Sequence, residues 1–186
     1  MNEGFVSRAG EKLSYALKFF NISVKDLICA DFGSSTGGFV ECLLREGARI
    51  VYSVDTSYGQ LSYKLRNDKR VVVMERTNAL HVTLPEHVDF ISIDVSWTKQ
   101  EKILPNTIKN LKIGGSVISL LKPHYEANWD LIRKGVLGDE DQEEVLKKTI
   151  LKIKNVEGIR LNSYTISPIQ GKRGGNKEYL LFLSKV

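Results

Sequence analysis

The chain is poor in the residues that usually build disulfides and metal sites. It contains two cysteines and three histidines, and the histidines do not show the spacing typical of metal ligands. Cys29 and Cys42 fall in a predicted strand and in the helix that follows it, so we expect both to be buried apolar side chains. No metal site is therefore predicted.

Long hydrophobic runs are also missing. The densest apolar stretch is VISLL at residues 117–121, far short of the roughly 20 residues that span a bilayer. The amino-terminal stretch MNEGFVSRAGEKL has no hydrophobic core of the kind that signal peptides carry. These absences argue against a membrane partner and predict a cytoplasmic protein.

Acidic residues are outnumbered by basic ones, with 22 Asp and Glu against 27 Lys and Arg. The resulting net charge of +5 and isoelectric point near 9.1 suit a polyanionic partner such as a nucleic acid. A length of 186 residues, with 42% hydrophobic residues, is enough for one domain with a sizeable core. Composition thus admits nucleic-acid binding without identifying it.

Hydrophobic periodicity predicts alternating helices and strands. Helices are expected at about 7–19, 37–46, 58–67, 100–110 and 140–155, and strands at about 27–32, 49–54, 71–75, 88–94, 115–121, 159–167 and 178–185. Such alternation favours a mostly parallel sheet with helices on both faces. The last two strands are too close in sequence for a crossover helix, so the last strand should run antiparallel. We therefore predict an α/β fold with a seven-stranded sheet, in a single domain spanning residues 1–186.

The most informative stretch is ICADFGSSTGGF at residues 28–39, where a buried strand enters a glycine-rich turn that opens a helix. This arrangement is the nucleotide-binding corner of doubly wound α/β proteins. A dinucleotide fingerprint has the spacing G-x-G-x-x-G, whereas the spacing here is G-x-x-x-G-G. Asp31, before the first glycine, also suits an ammonium group better than a pyrophosphate. The turn therefore favours S-adenosylmethionine, which carries an amino group and no phosphate at this position.

Two polar residues follow the neighbouring strands. Asp55 lies 22 residues after Gly33, where a carboxylate can accept hydrogen bonds from both ribose hydroxyls. Asn78, after the third strand, either meets the adenine edge or only caps its loop. The fold is thus predicted to be a Rossmann-like class I S-adenosylmethionine-dependent methyltransferase. The predicted cofactor-binding residues are Asp31, Gly33, Ser34, Ser35, Thr36, Gly37, Gly38, Phe39, Asp55, Asn78 and Asp94.

Four ionisable residues are expected to meet near this cofactor. Asp94 ends the fourth strand, and Lys122 ends the fifth, where Pro123 follows it. Lys12 lies on the first helix, and Glu178 starts the last strand. Because ligands of open α/β sheets bind beyond the carboxyl ends of the strands, these four residues form a candidate catalytic set.

Seven segments in order resemble the hemolysin A (TlyA) family of FtsJ-like ribose 2'-O-methyltransferases: SRAGEKL, DFGSSTGGF, VDTSYGQL, RTNA, IDVS, LLKPHYE and GNKEYLL. The resemblance covers nearly the whole chain. It implies a catalytic tetrad of Lys12, Asp94, Lys122 and Glu178, with S-adenosylmethionine as cofactor. It also implies ribosomal RNA or a ribosomal subunit as partner, and cytidine ribose as the target class.

Within this tetrad we expect Lys122 to be the general base. A ribose 2'-hydroxyl is a weak nucleophile and must lose its proton as it attacks the methyl group. Burial and the like charge of Lys12 are expected to lower the pKa of Lys122, so that its amine can accept that proton. Asp94 should orient the amine, and Glu178 should pair with Lys12.

The segment KPHYEANWDLIRKGVLG at residues 122–138 interleaves aromatic and cationic side chains. Its aromatic rings either stack on splayed bases or pack the loop against the sheet. Trp97 stands where members of the resembled family usually carry phenylalanine, a change we interpret as neutral. The predicted RNA-binding residues are Arg8, His124, Tyr125, Trp129, Arg133, Lys134, Lys172 and Arg173.

One departure from the family concerns length. TlyA proteins usually carry an S4-type RNA-binding domain before the methyltransferase, whereas this chain starts close to Lys12. Either the chain is truncated or its lineage lacks that module. Three alternative functions are a small-molecule O-methyltransferase, a membrane-acting hemolysin and a binding protein without catalysis. The filled tetrad positions, the lack of a histidine base and the lack of a spanning segment disfavour all three.

Overall fold

The computed structural model describes residues 4–133, 136–169 and 176–186. Its helices are α1 (Ala9–Phe19), α2 (Gly38–Arg45), α3 (Tyr63–Arg66), α4 (Gln100–Asn110), α5 (Pro123–Glu126) and α6 (Asp139–Lys154). Its strands are β1 (Ile28–Phe32), β2 (Ile50–Val54), β3 (Val71–Met74), β4 (Val88–Ile93), β5 (Leu111–Leu121), β6 (Ile132–Arg133), β7 (Val136–Leu137), β8 (Ile159–Ile166) and β9 (Tyr179–Lys185). A 3-10 helix, Trp129–Leu131, precedes β6.

Seven strands form one sheet in the order β3-β2-β1-β4-β5-β9-β8. The first five are parallel, and β9 runs antiparallel to both of its neighbours, β5 and β8. The two-residue strands β6 and β7 form a separate antiparallel ribbon. The predicted seven-stranded, mostly parallel sheet with an antiparallel last strand is therefore confirmed.

Helices cover both faces of this sheet, as β1 illustrates. All five β1 residues are buried, which is typical of a parallel strand covered on both sides. Ile28, Ala30 and Phe32 belong to one apolar cluster, with side chains from α4 and α6. Cys29 points to the other face and joins a cluster with side chains from α1, α2 and α3.

The cysteine prediction is confirmed: Cys29 and Cys42 are both buried and form no disulfide. Burial raises the pKa of each thiol to about 12, so neither is a reactive thiolate at neutral pH. Among the residues that the structure describes, no helix combines the length and the hydrophobicity that a membrane crossing requires.

The predicted helix at 58–67 is wrong over most of its length, because only Tyr63–Arg66 is helical. Gly59 adopts a positive φ of 72°, and its N–H donates to the Glu75 side chain at 2.7 Å. Side-chain contacts thus hold an irregular loop where periodicity indicated a helix. Strand β5 also begins earlier than predicted, at Leu111, and the segment 122–138 contains α5, the 3-10 helix and the β6–β7 ribbon.

Candidate functional site

The four tetrad positions lie at one edge of the sheet. Asp94 and Lys122 directly follow the parallel strands β4 and β5. Leu121 pairs with Tyr179 across β5 and β9, so Glu178 emerges at the same edge although its strand runs the other way. Lys12 comes from α1, which packs against α2. All four side chains line a cavity of about 740 Å³, which we call the main cavity.

The tetrad is arranged as two ion pairs. The Lys12 ammonium group pairs with the Glu178 carboxylate, and the Lys122 ammonium group pairs with the Asp94 carboxylate. These side chains are largely buried, with exposed fractions between 4% and 19%. Each buried charge therefore has an opposite charge beside it, which offsets the cost of removing it from water.

The pKa of Lys122 differs from the expectation. Burial acts to lower it, but the charge and hydrogen bond of Asp94, together with the more distant charge of Glu178, outweigh burial. The net pKa lies above the usual lysine value, so the predicted lowering is wrong for the protein without ligands. The physical reason is that Asp94 compensates the charge of Lys122 directly, while Glu178 pairs with Lys12. Lys122 is thus an ammonium group at neutral pH.

The glycine-rich turn brings its backbone close to the tetrad. Gly33 adopts a φ of 90°, and its N–H donates to the carbonyl oxygen of Val54 at 2.9 Å. A Cβ atom at Gly33 would collide with the backbone carbonyl group of Asp94, so only glycine fits. Gly37 caps α2 and packs against leucine side chains outside the main cavity. The other turn residues that line the main cavity are Ser34, Ser35, Thr36, Gly38 and Phe39.

Asp31 lines the main cavity with a carboxylate that is only half satisfied. Its side chain is fully buried, and its Oδ1 accepts a hydrogen bond from the Ser92 hydroxyl at 2.7 Å. Its Oδ2 has no hydrogen-bond partner within the described residues. Burial is the largest effect on this group and raises its pKa to about 7. A cationic ligand group in the cavity would supply the missing partner, so Asp31 fits the ammonium group predicted from the sequence.

A second cavity of about 270 Å³, the side cavity, adjoins the main one. Gly33, Ser35, Asp94 and Ser96 line both cavities. Three predicted cofactor residues do not line the main cavity: Gly37, Asp55 and Asn78. Two of them, Asp55 and Asn78, line the side cavity. An elongated ligand could therefore extend from one cavity into the other past Asp94.

Local hydrogen bonds fix both side-cavity residues. The Asp55 carboxylate accepts the N–H groups of Ser35 and Ser57, each at 2.7 Å. The Asn78 Oδ1 accepts the N–H of Leu80 at 2.9 Å. Asn78 therefore caps its loop and lines the cavity as well, so the two alternatives left open by the sequence are compatible.

Trp97 is a functional candidate to which the sequence analysis gave no site role, since it treated the residue only as a neutral replacement for phenylalanine. It lines the main cavity, its φ is 57°, and 59% of it is exposed. The centroid of its ring lies 4.6 Å from that of the Tyr125 ring and 5.2 Å from that of the Trp129 ring. The planes of the two tryptophan rings are nearly parallel. The available signal was its position in the loop just after Asp94, at the carboxyl end of β4.

The predicted aromatic residues of the segment 122–138 form a group with Trp97. The His124 and Tyr125 rings are 4.3 Å apart and both residues line the main cavity. Trp129 is not among the residues that line the cavity, is 73% exposed, and stacks its ring on that of Trp97. We call Trp97, His124, Tyr125 and Trp129 the aromatic group. Its rings pack on one another at the cavity mouth while Trp97 and Trp129 stay largely exposed.

The structure describes two of the five predicted RNA-binding cations, Arg8 and Arg133. Arg8 lines the main cavity, and Arg133 is exposed beside Ile132, which also lines it. Lys134, Lys172 and Arg173 lie outside the described residues.

Within the described ranges, no group of three or more His, Cys, Asp or Glu residues could hold a metal ion. Cavity residues that the sequence analysis did not single out include Ser7, Ser96 and Asn176.

Comparison with known proteins identifies relatives of the whole described fold. The FtsJ-like methyltransferase family matches residues 5–185. A candidate rRNA methyltransferase, YqxC, from Bacillus subtilis is 42% identical over 96% of this chain. The 16S/23S rRNA (cytidine-2'-O)-methyltransferase TlyA from Mycobacterium tuberculosis is 37% identical over 96% of this chain. The chain spans 65% and 68% of the lengths of these two relatives.

Solved structures give the same result for the fold. A candidate hemolysin from Lactococcus lactis is 36% identical, with a TM-score of 0.92, and the match covers 98% of this chain and 89% of that one. A candidate S-adenosylmethionine-dependent methyltransferase from Listeria monocytogenes is only 17% identical, yet the TM-score is 0.66 over 97% of this chain and 100% of that one. The predicted class I methyltransferase fold is confirmed.

Proposed function

Because the chain belongs to the FtsJ-like methyltransferase family, we propose that it transfers a methyl group from S-adenosylmethionine to a ribose 2'-hydroxyl in ribosomal RNA, with cytidine as the target nucleoside. The observation that carries the proposal is the pair of buried lysine–carboxylate contacts facing one cavity with the half-satisfied Asp31. The proposed methyltransferase domain spans residues 1–186 and acts on RNA in the cytoplasm.

The two cavities suit an elongated cofactor such as S-adenosylmethionine. Their volumes fall near the range of about 300–1,000 Å³ that is common for small-molecule sites. Asp31 binds the amino group of the methionine portion, and Asp55 accepts the ribose hydroxyls in the side cavity. Asn78, in the same cavity, contacts the adenine edge in this proposal. Asp94, common to both cavities, then lies near the reacting centre.

When bound, S-adenosylmethionine supplies an electrophilic methyl group on a positively charged sulfur. With the cofactor bound, Lys122 would take the proton of the 2'-hydroxyl as the methyl group passes from the sulfur to the ribose oxygen, and would end the step as an ammonium group. The transfer would leave a 2'-O-methyl ribose and S-adenosylhomocysteine. The ion pair of Lys12 and Glu178 lies in the same cavity and joins α1 to the start of β9.

Lys122 must be neutral before it can act in this way. Its ammonium group is held by Asp94 in the protein without ligands. The positive sulfur of the cofactor in the same cavity opposes that effect, because a like charge lowers the pKa of an ammonium group. Water exclusion by bound RNA acts in the same direction. We therefore expect Lys122 to lose its proton only in the complex with both substrates.

The RNA lies, in this proposal, across the mouth of the main cavity. The aromatic group offers exposed rings on which unpaired bases can stack. In this proposal Arg8 and Arg133 contact phosphates. Lys134, Lys172 and Arg173 lie outside the described residues and stay predicted RNA-binding residues from the sequence. Because such contacts are mainly electrostatic, RNA binding should weaken steeply as salt is added.

The direct test is transfer of tritium from methyl-labelled S-adenosylmethionine to RNA. Purified small subunits, purified large subunits and naked rRNA are each incubated with the wild-type protein and with Lys122→Ala. Label that appears in RNA and depends on Lys122 supports the proposal. A protein that binds the cofactor but labels none of the three substrates would contradict ribosomal RNA as the target.

The name hemolysin among similar structures motivates one further measurement. Liposomes loaded with a fluorescent dye are mixed with the protein, and dye release is followed over time. We expect no release, because the cavity, its ion pairs and its aromatic mouth account for methyl transfer and offer no reason for membrane damage. Release at protein concentrations similar to those used for RNA labelling would favour the membrane function.

A further inference from the structure

The segment Gly4–Arg8, which we call the strap, contributes Ser7 and Arg8 to the wall of the main cavity. It leads into α1 and lies along α2, the helix that follows the glycine-rich turn. A Cβ atom at Gly38 would collide with the Ser7 hydroxyl, so the strap touches the start of α2 directly. Ser7 and Arg8 line the cavity from the strap, and Gly38 lines it from α2. Two walls of the cavity therefore meet at this contact.

Glu41 connects these two walls one turn further along α2. Its side chain is only 4% exposed, and its Oε2 accepts the N–H of Val6 in the strap at 2.6 Å. Its Oε1 accepts hydrogen bonds from Arg45 at 2.8 Å and from the Lys64 ammonium group at 3.5 Å. A single buried carboxylate thus joins the strap, α2 and α3.

Arg45 strengthens the same connection. Its guanidinium group donates to the carbonyl oxygen of Gly4 at 3.0 Å and lies 4.6 Å from the centre of the Phe5 ring. Gly38, Glu41 and Arg45 follow one another at spacings of three and four residues, so they share one face of α2. This face contacts the strap along most of its length.

The carboxylate of Glu41 is ionised at neutral pH. Burial acts to raise its pKa, but the Val6 N–H and the Arg45 guanidinium group lower it more, and the net pKa lies below the usual glutamate value. A buried charge is costly unless it is hydrogen-bonded. Glu41 does not line either cavity, so ligand binding and chemistry do not explain this charge.

We propose that Glu41 is a positioning residue that holds the strap against α2, so that Ser7 and Arg8 close the cofactor cavity and α1 presents Lys12 to Glu178. This inference rests on the proposed function, since it takes S-adenosylmethionine as the ligand of the main cavity. Loss of the carboxylate should open the strap side of the cavity and weaken cofactor binding without touching the cofactor.

The test measures S-adenosylmethionine binding by calorimetry in Glu41→Ala, Glu41→Gln and wild type. We expect Glu41→Ala to bind about tenfold more weakly, and Glu41→Gln to recover much of that loss because its amide oxygen can still accept the Val6 N–H. If Glu41→Ala does not fold, Arg45→Met replaces it, because the Arg45 side chain is 39% exposed and its removal also frees Gly4 and Phe5.

Asp89 provides the matched control. Its carboxylate also accepts a backbone N–H, that of Ile28 at 2.9 Å, and pairs with a cation, Lys112, at 2.6 Å. It lies near the amino-terminal ends of β1, β4 and β5, whereas the main cavity lies at their carboxyl-terminal ends. Asp89→Ala should leave cofactor affinity within about twofold. If Asp89→Ala and Glu41→Ala lose equal cofactor affinity, the loss comes from general destabilisation of the fold, and the proposal is overturned.

Hydrogen exchange of the Val6 amide, measured without cofactor, tests whether Glu41 holds the strap independently of whether the protein binds S-adenosylmethionine. Faster exchange in Glu41→Ala, together with weaker cofactor binding, supports the proposal. Unchanged exchange, or faster exchange with unchanged cofactor affinity, overturns it. A wild-type protein that binds no S-adenosylmethionine would refute the proposed function, and the cavity-closing role would fall with it, while the exchange data would still report whether Glu41 holds the strap.

Discussion

The two sides of the main cavity are built on different principles. The side formed by β1, the glycine-rich turn and α2 uses backbone groups and buried acids, with Asp31 fully enclosed and Gly33 touching Asp94. The mouth uses exposed rings, of which Trp97 and Trp129 are each more than half exposed. A small cofactor of constant structure suits the first kind of surface, and an RNA that must arrive and leave suits the second. The following changes should separate the two sides.

The largest effect is expected at Lys122, which lies between the two sides. Lys122→Ala should reduce methyl transfer by at least about a thousandfold, because the 2'-hydroxyl loses its proton acceptor. Cofactor affinity should change by less than about threefold. Lys122→Arg is the informative partner variant, since arginine keeps the positive charge beside Asp94 but cannot be deprotonated. Substantial transfer by Lys122→Arg in the tritium assay would refute the general-base role.

Asp31→Asn tests the buried side. We expect cofactor affinity to fall by about ten- to a hundredfold, because the amide cannot pair with the ammonium group of the methionine portion. RNA affinity in the absence of cofactor should stay unchanged. In the wild type, cofactor affinity should weaken as the pH falls below about 7, where the Asp31 carboxylate takes up a proton. Calorimetry across that pH range checks both points, and a pH-independent affinity would contradict them.

Trp97→Ala tests the exposed side. We expect the apparent KM for RNA to rise by about tenfold, because one base loses its stacking surface. Cofactor affinity and thermal stability should change little, since Trp97 is largely exposed. Trp97→Phe keeps a ring at the same place and should restore most of the RNA affinity. A cofactor defect in Trp97→Ala as large as its RNA defect would erase the distinction between the two sides.

The smallest effect concerns the pH dependence of stability. Burial raises the pKa of Glu126 to about 7, and its Oε1 accepts the N–H of Gln100 at 2.7 Å. The folded protein therefore keeps a proton that the unfolded chain releases above its ordinary value of 4.5, so this group favours folding at low pH and the benefit is lost as the pH rises through about 7. Glu126→Gln should flatten the decrease in melting temperature between about pH 5 and pH 8 by a few degrees. A slope equal to that of the wild type would contradict this assignment.

The sequence was sufficient for the features that depend on backbone periodicity and glycine. The positions of the strands along the chain and the turn around Gly33 follow from apolar runs and from the spacing of the glycines. The insertion of β9 between β5 and β8 was not predicted, because apolar runs do not encode which strands are neighbours. The helix at 58–67 failed because Gly59 and Glu75 hold a loop whose apolar spacing imitates a helix. Trp97 was missed because its role depends on a positive φ and on neighbours distant in sequence. The pKa of Lys122 was misjudged because it depends on which carboxylate is nearest, which spacing does not encode.

The antiparallel strand β9 has a consequence for the order in which activity can appear. It is inserted between β5 and β8, and the Lys12–Glu178 pair next to it joins residues 166 positions apart. Contacts of such long sequence separation form late in folding, because the loop they close is large. A ribosome-bound chain that has exposed everything up to α6 already contains the cofactor turn, Asp94 and Lys122. It still lacks Glu178, the fourth member of the tetrad, so catalytic competence should arise only after β9 has been synthesised and has paired with β5.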